Sequence, residues 1–456
     1  MHSLIREFGS VKIKCTDLIF GKKSISSVED QLQEANLRQD YWAIVRRQFN
    51  KNRLAVWSLR ILCGLLLIAL LSNVLANEKP LYCKIEGKTY FPIFQSFAVN
   101  LGLKKWDEAL VNIEWHEQEN FDYVRYTLIP YSYNTLDLKN GNYKGPFDKQ
   151  RVQSSWFHHR LGTDHLGRDV AAGMIAGTRT AVLVGVIAMS IASIIGLFFG
   201  AIAGYFGDNR LKVSRIRFWL NIIAFVLGLF YAFSVRSYAF EVGTFAVELI
   251  KSLGILILFF LVANLLASGL KRMAVFGKKM VIPADMIIMR LIEILRSMPS
   301  LLLILAVVAI IEKPSLVYVM VIIGLISWTN IARFIRAELL RIRNQEYIEA
   351  AQAMGFSEWH IITKHAIPNA LTPVLITIAF GMAGAILLEA FLSFLGIGMP
   401  TDSVTWGSML NLSRPYPKAW WLAIFPGFAI FLTVTIFNLL GEGLTEAMDP
   451  KALKSS

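Results

Sequence analysis

Apolar runs about 20 residues long recur along this chain, and nothing else in the sequence narrows its fold as much. About 20 helical residues cross the hydrocarbon layer of a bilayer. Lipid offers the backbone no hydrogen-bond partner, so each run must be a helix. Eight spans are expected: Leu54–Ala76, Arg179–Tyr205, Ile216–Phe233, Leu249–Leu270, Met286–Ile311, Leu316–Phe334, Thr372–Leu395 and Trp420–Leu440. Composition agrees, since only 17% of residues are charged against about 25% in a soluble domain. The first run begins at Leu54, too deep for a cleaved signal sequence, and is expected to stay as an anchor.

Charge gives the orientation. A net charge of +13 would point to nucleic acid in a soluble chain. Here Lys and Arg collect in loops held on the cytoplasmic side, and no nucleic acid partner is expected. Arg46, Arg47, Lys51 and Arg53 precede the first span and place the N-terminus inside. The segment after it is then external. From Asn77 to Asp169 it carries 12 acidic and 12 basic residues, is rich in aromatic side chains, and reads as a small folded cap. The third and fourth spans form a hairpin. Its feet are basic (Arg210, Lys212, Arg215, Arg217 before it; Lys271, Arg272, Lys278, Lys279 after it). Its tip is neutral (Arg236, Glu241, Glu248, Lys251). Two added spans leave everything downstream on its original side, so residues 336–370 and the C-terminal tail are cytoplasmic.

The expected division is an N-terminal cytoplasmic region 1–53, a first span 54–76, an external segment 77–177 and a second span 178–208. An inserted two-helix hairpin 209–283, a core 284–440 and a cytoplasmic tail 441–456 complete it.

The segment with most functional information is EYIEAAQAMGFSEWHIITKHAIP, Glu346–Pro368. Glu349, Ala350 and Ala351 sit among good helix formers. Gly355 ends or bends that helix, because glycine tolerates the left-handed cap conformation. Ser357 can N-cap a second short helix, from Glu358 to about His365, which Pro368 limits. A helix, a sharp turn and a helix should project from the membrane, with small Ala350 and Ala351 allowing another surface close. The bland alternative is an ordinary amphipathic helix pair.

This segment resembles the "EAA" loop of binding-protein-dependent ABC importer permeases, EAA-x3-G-x9-I-x-LP. Glu349, Ala350, Ala351, Gly355 and Pro368 match, while His365 and Ile367 stand where the pattern has Ile and Leu. LGTDHLGRDVAAGMIAGTR (Leu161–Arg179), GAIAGYFGD (Gly200–Asp208), LLEAFLSFLGIGMP (Leu387–Pro400) and NLLGEGLTEAMDPK (Asn438–Lys451) are similar to the dipeptide, oligopeptide and nickel permeases, in the same order. The stretches Trp57–Phe94 and Arg125–Asp137 resemble the long-capped branch typified by microcin C permeases. The hairpin is the main departure.

The resemblance implies an all-α polytopic inner-membrane protein with a type I (MetI-like) permease core, an inserted hairpin and a periplasmic segment. It implies ATPase subunits docked on the loop, a sister permease sharing the path, an extracytoplasmic peptide-binding protein and surrounding membrane lipid. Nickel or another small solute is the alternative cargo. An ion-coupled secondary transporter is a further alternative, ranked lower because it needs several mid-membrane ionisable groups.

The chain has no phosphate-binding P-loop: Gly87-Lys88-Thr89 has the right ending, but Tyr82 stands where the first glycine is required. ATP is therefore expected to be hydrolysed by a partner, and no cofactor or catalytic constellation is expected. His158, His159 and His165 lie near Asp164 and Asp169; a hydrogen-bonding loop is preferred there to a metal site. Glu389 falls inside the seventh span and should face the bundle interior, as an interhelical hydrogen bond in preference to a substrate contact. Asp285, Arg290 and Glu293 read as interface anchors, and Pro299 as shaping its helix. Cys15, Cys63 and Cys83 are not expected to form a structural disulfide.

Overall fold

The computed structural model describes residues 43–111, 113, 115, 121–242, 245–270, 279–310, 315–398 and 403–448. Cys15, the hairpin cations Lys271, Arg272 and Lys278, and the tail from 449 lie outside them. The chain forms two units, one of residues up to 179 together with those from 423, the other of residues 180–422.

In the first unit, helix α1 (Arg53–Leu70) is capped by Asn52, whose side-chain oxygen accepts from the Ala55 amide at 3.0 Å. The Asn52 amide group donates to Glu446 at 2.7 Å. A Cβ on Gly443 would stand 2.3 Å from that of Ala55, so the two backbones meet there directly. Most of α1 is otherwise exposed and apolar, as a lipid-facing helix must be.

The segment after α1 holds a three-stranded antiparallel sheet in the order β2-β1-β3, from β1 (Tyr82–Ile85), β2 (Lys88–Tyr90) and β3 (Tyr123–Arg125). The all-α expectation therefore holds for the spanning helices, while the folded cap includes strands. Glu86 and Gly87 both have positive φ (49° and 77°) and make the two-residue hairpin turn. The Gly87-Lys88-Thr89 tripeptide thus serves a β-turn and a strand. Helix α2 (Pro92–Asn100) follows β2. Cys83 is buried in β1, where desolvation pushes its thiol up to about 11, and both Cys83 and Cys63 are free. Tyr126, Tyr131 and Phe157 form the core beneath. The tyrosine hydroxyls donate to carbonyls of Trp115 (2.7 Å) and Phe157 (2.8 Å), which satisfies their polar ends on burial.

The long helix α3 (Val170–Ala201) runs on through a π-helical turn, Ile202–Phe206. It starts at Val170 and not at Arg179, because Asp169 caps it: the Ala172 amide donates to the Asp169 carboxylate at 2.7 Å.

In the second unit α3 crosses α8 (Leu316–Ile342) along a seam of glycines. Gly196, Gly200 and Gly204 recur every fourth residue and so share one helix face. A Cβ at Gly200 would meet the Ala332 carbonyl oxygen at 2.7 Å, one at Gly204 that of Arg336 at 2.7 Å, and one at Gly324 that of Ala188 at 2.8 Å. Only glycine allows helices this near, the packing membrane helices use where burying apolar surface gains nothing over lipid.

The inserted hairpin comprises α4 (Arg215–Leu229), with a π turn to Ser234, and α5 (Phe245–Leu270). Strands β4 (Lys212–Ser214) and β5 (Lys279–Val281) pair antiparallel across its feet. Ser252 donates to the Ala232 carbonyl at 2.7 Å and joins the two helices higher up.

The expected fifth span is broken. Helix α6 (Ala284–Ser297) and helix α7 (Ser300–Ile310) meet at 83°. Met298, before Pro299, is extended (φ −93°, ψ 133°), because the proline ring disfavours the helical region for its predecessor. Helix α6 is amphipathic, carrying Asp285, Arg290, Glu293 and Arg296. Among the described residues seven single helices are long and apolar enough to cross a membrane, and this bent pair brings the number to eight if it counts as one span.

Candidate functional site

The site is the short stretch after α8. Helix α9 (Glu346–Ala353) ends in a paired C-terminal cap: the Gly355 amide donates to the Gln352 carbonyl (2.9 Å) and the Phe356 amide to the Ala351 carbonyl (3.3 Å). Gly355 takes φ +80°, and a Cβ there would meet nothing within 4 Å. The chain reverses and Ser357 caps helix α10 (Glu358–Ile361), accepting from the His360 amide at 3.3 Å.

Pro368 does not limit this second helix, contrary to expectation. From Glu358 the chain stays helical to Phe394. A π turn at Ile362–Ala366 leads into α11 (Ile367–Phe394), with Pro368 in its first turn. There the wider turn and the missing N–H of proline are compatible, so the ring interrupts nothing. The knob is therefore an extension of a spanning helix.

Its two faces differ. Glu349 and Ala350 are exposed, but Ala351 is buried with Ile348, Ile361 and Ile362. The expectation that both alanines face a partner is corrected for Ala351, whose small size instead lets α9 settle on the core. That core includes Tyr205 and Phe206 from the end of α3 and Ile335 and Leu339 from α8. The Tyr205 hydroxyl accepts from Gln352 at 3.2 Å, and its buried ring belongs to the same core as Ile348 and Ala351 of one arm and Ile361 and Ile362 of the other. Arg336 of α8 forms a two-pronged ion pair with Asp285 of α6, with Nη2 at 2.6 Å. Asp285 is thus a strut between helices, while Arg290 and Glu293 pair at the surface.

The outer face carries side chains that the motif does not mention. Met354 is 69% exposed and Trp359 58%, with Phe356 and Tyr347 also exposed. His360 stacks on Phe356 with ring centroids 5.0 Å apart. Apolar residues in a polar-looking loop were the available signal for this patch.

Residues 273–454 match the family of binding-protein-dependent transport system inner membrane components, and residues 40–92 match the N-terminal TM domain of oligopeptide transport permease C. Over 315 residues the chain is 30% identical to the dipeptide transport system permease protein DppC of Alkalihalophilus pseudofirmus, covering 69% of this chain and 79% of the relative. The chain belongs to the binding-protein-dependent permease family. The permease is also 28% identical over 419 residues to the inner membrane ABC transporter permease protein YejE of Escherichia coli, covering 91% of this chain and 97% of that protein. It is 28% identical over 328 residues to the oligopeptide transport system permease protein OppC of Bacillus subtilis, covering 71% and 79%. The protein is a multi-pass inner-membrane transport component and not an enzyme.

Two further groups in the permease bear on the expectations. Glu389 in α11 is 2% exposed. It accepts from Ser393 of its own helix at 2.5 Å and lies near Thr405, whose hydroxyl caps α12 (Trp406–Ser413) by accepting from the Ser408 amide at 3.1 Å. A Cβ on Gly407 would stand 2.2 Å from the Ala390 carbonyl oxygen, so α12 lies directly on α11 at this point.

In the segment before α3, His159 is buried between two carboxylates. Its Nδ1 lies 2.8 Å from Asp169 and its Nε2 3.3 Å from Asp137, while its ring stacks on Tyr131 at 4.3 Å. The hydrogen bonds and charges of these aspartates outweigh desolvation and push the imidazole up to about 9, and Asp137 is held below its usual value by His159 and Asn140. Both ring nitrogens are engaged. His158 is half-buried and His165 exposed. Asp164 accepts from the amides of Leu166 (2.8 Å) and Arg168 (2.9 Å). Gly167, at φ +83°, presses on Asp137, where a Cβ would lie 2.0 Å from the carbonyl oxygen. The LGTDHLGRD stretch is a clasp that locks the start of α3.

Proposed function

We propose that this chain is one of two permease subunits of an ATP-driven peptide importer, and that residues 346–368 are the element through which ATPase subunits move it. The observation that carries the reading is the two-sided knob. Its inner face, Ile348, Ala351, Ile361 and Ile362, is buried against the ends of α3 and α8. Its outer face, Glu349, Ala350, Met354, Phe356 and Trp359, is exposed. Force applied outside passes to the spanning helices without a flexible joint, since α10 continues into α11. ATP binding in the partner subunits would carry the knob and rock α11 between two states whose balance the nucleotide shifts.

Basic residues before the first span and beside the knob favour a cytoplasmic N-terminus and a cytoplasmic knob, with the C-terminus also inside and the 77–177 segment outside. An extracytoplasmic binding protein would deliver the peptide there, and a sister permease would complete the path. The names of the relatives, dipeptide and oligopeptide permeases, favour peptide over nickel as cargo. Glu389, bonded to Ser393 beside the close approach of Gly407 to Ala390, acts within the joint between α11 and α12 in this reading and not as a substrate contact.

The test is the double substitution Glu349→Lys with Gly355→Pro. Peptide uptake should be lost while the protein still inserts into the membrane. Unchanged uptake with correctly inserted protein would refute the coupling role.

A further inference from the structure

We propose that the foot of the inserted hairpin is a binding site for the phosphate headgroup of an anionic phospholipid. The inference rests on the membrane-spanning fold and is independent of the coupling role of residues 346–368.

A cavity of about 230 Å³ lies at the foot, lined by Lys212, Ser214, Arg217, Asn264, Ser268 and Lys279. Three cations therefore converge on one small space, and no carboxylate among the described residues lines it. Two of them are fixed by backbone pairing, because β4 and β5 set Ser214 opposite Lys279 and Lys212 opposite Val281. The third is oriented by a side-chain bond. Arg217 Nε donates to Asn264 Oδ1 at 2.5 Å, and the Asn264 Nδ2 is itself held by donating to Asn221 Oδ1 (3.0 Å) and to the Phe260 backbone carbonyl (2.8 Å). This leaves the two terminal guanidinium nitrogens, the fork that matches phosphate oxygens. Helix α4 starts at Arg215, and Ser214 makes no side-chain cap, so the amides of its first turn add the positive end of the helix dipole beside the cavity.

The far end of the hairpin is built the other way. There Glu248 is shared between Arg236 (2.5 Å) and Lys251 (2.6 Å), so its charge is matched locally. Among the described residues Lys212 and Lys279 have no such counter-ion. Uncompensated cations at a membrane surface call for an anion from outside the chain.

Its position favours lipid over soluble phosphate. The two helices rising from the foot are the least buried of the spans, together with α1: 17% and 11% of their most apolar windows lie inside the protein. Trp219, Leu265 and Leu266, within about a turn of the polar lining, are exposed. An indole near a ring of cations is typical of the lipid–water boundary, and the leucines offer acyl chains an apolar track.

The experiment titrates phosphatidylglycerol or phosphatidylcholine into the full-length protein in detergent and counts retained lipid by native mass spectrometry. The wild type should prefer phosphatidylglycerol by about ten-fold or more. K212Q/K279Q should lose that preference, whereas K212R/K279R and the control K104Q/K105Q, which removes as much charge elsewhere, should keep it. The single variants K212Q and K279Q, each expected to lose part of the preference, decide the matter if the double variant does not fold. Equal retention of both lipids by the wild type would overturn the proposal. So would a folded K212Q/K279Q protein that binds phosphatidylglycerol as the wild type does. Displacement of the lipid by millimolar inorganic phosphate would assign the cavity to a soluble anion instead.

Discussion

Gly167 and Gly355 have nearly the same backbone conformation, φ +83° and +80°, and opposite surroundings. The first is pressed against the Asp137 backbone in the clasp before α3. The second turns in open space at the tip of the knob after α8. Around Gly167 the polar groups find partners inside the chain: His159 between two aspartates, Asp164 on two amides, Asn140 on Asp137 and the Arg151 carbonyl. Around Gly355 the backbone is satisfied but Met354, Phe356 and Trp359 stand exposed. A region that closes on itself fixes a helix in place. A region with a closed backbone and open apolar side chains is shaped for a partner to hold.

Substitutions at the two glycines probe this contrast most directly. Gly167→Ala combines a left-handed backbone with a collision into Asp137, and should cost more than about 3 kcal/mol, read as a collapse in thermal midpoint or in folded yield. A loss under about 1 kcal/mol would mean that the clasp is looser than described. His159→Gln should cost about 3 kcal/mol, because buried Asp169 and half-buried Asp137 lose their counter-charge. The sign of the pH effect follows from the imidazole being raised to about 9 in the fold, against about 6.5 unfolded. Its stabilisation is complete below about pH 6.5 and fades as pH rises towards 9. The wild-type midpoint should fall across that window, and the His159→Gln midpoint should not show this fall.

At the knob the effects on stability are smaller. Gly355→Ala meets only the left-handed backbone and should cost about 1 kcal/mol, so a loss as large as that at Gly167 would erase the contrast. Trp359→Ala with Met354→Ser should cost no more than about 1 kcal/mol, since both side chains are mostly exposed and Trp359 gives up an edge contact with Phe206. The same pair should weaken co-purification of the ATPase subunits, and normal recovery of those subunits would remove the partner from the account.

Much of this was legible in the sequence for stated reasons. Each spanning helix follows from an apolar run that lipid forces to be helical, and the Gly355 turn from the rarity of residues that accept positive φ. Pro299 marks the place of the break but not its size, because hydropathy is summed along a run and carries no direction: the expected span Met286–Ile311 reads as one helix, whereas Ala284–Ser297 and Ser300–Ile310 meet at 83°. The π turn before Pro368 hid a continuous helix for the converse reason, since a proline in a first helical turn looks in sequence like a proline that ends one. The face that Ala351 takes is not legible in the sequence, because a small residue allows close approach on either side. The glycine seam at Gly196, Gly200 and Gly204 was written in its four-residue period, which the resemblance to GAIAGYFGD covered only in part.

The coupling role is tested most directly by placing a photoreactive phenylalanine analogue at Trp359 of the assembled importer and irradiating inner-membrane vesicles. The account predicts a covalent adduct with the ATP-hydrolysing subunit, absent when the same analogue replaces exposed Leu258 of the hairpin. No adduct with that subunit, or one with the extracytoplasmic binding protein, would contradict it.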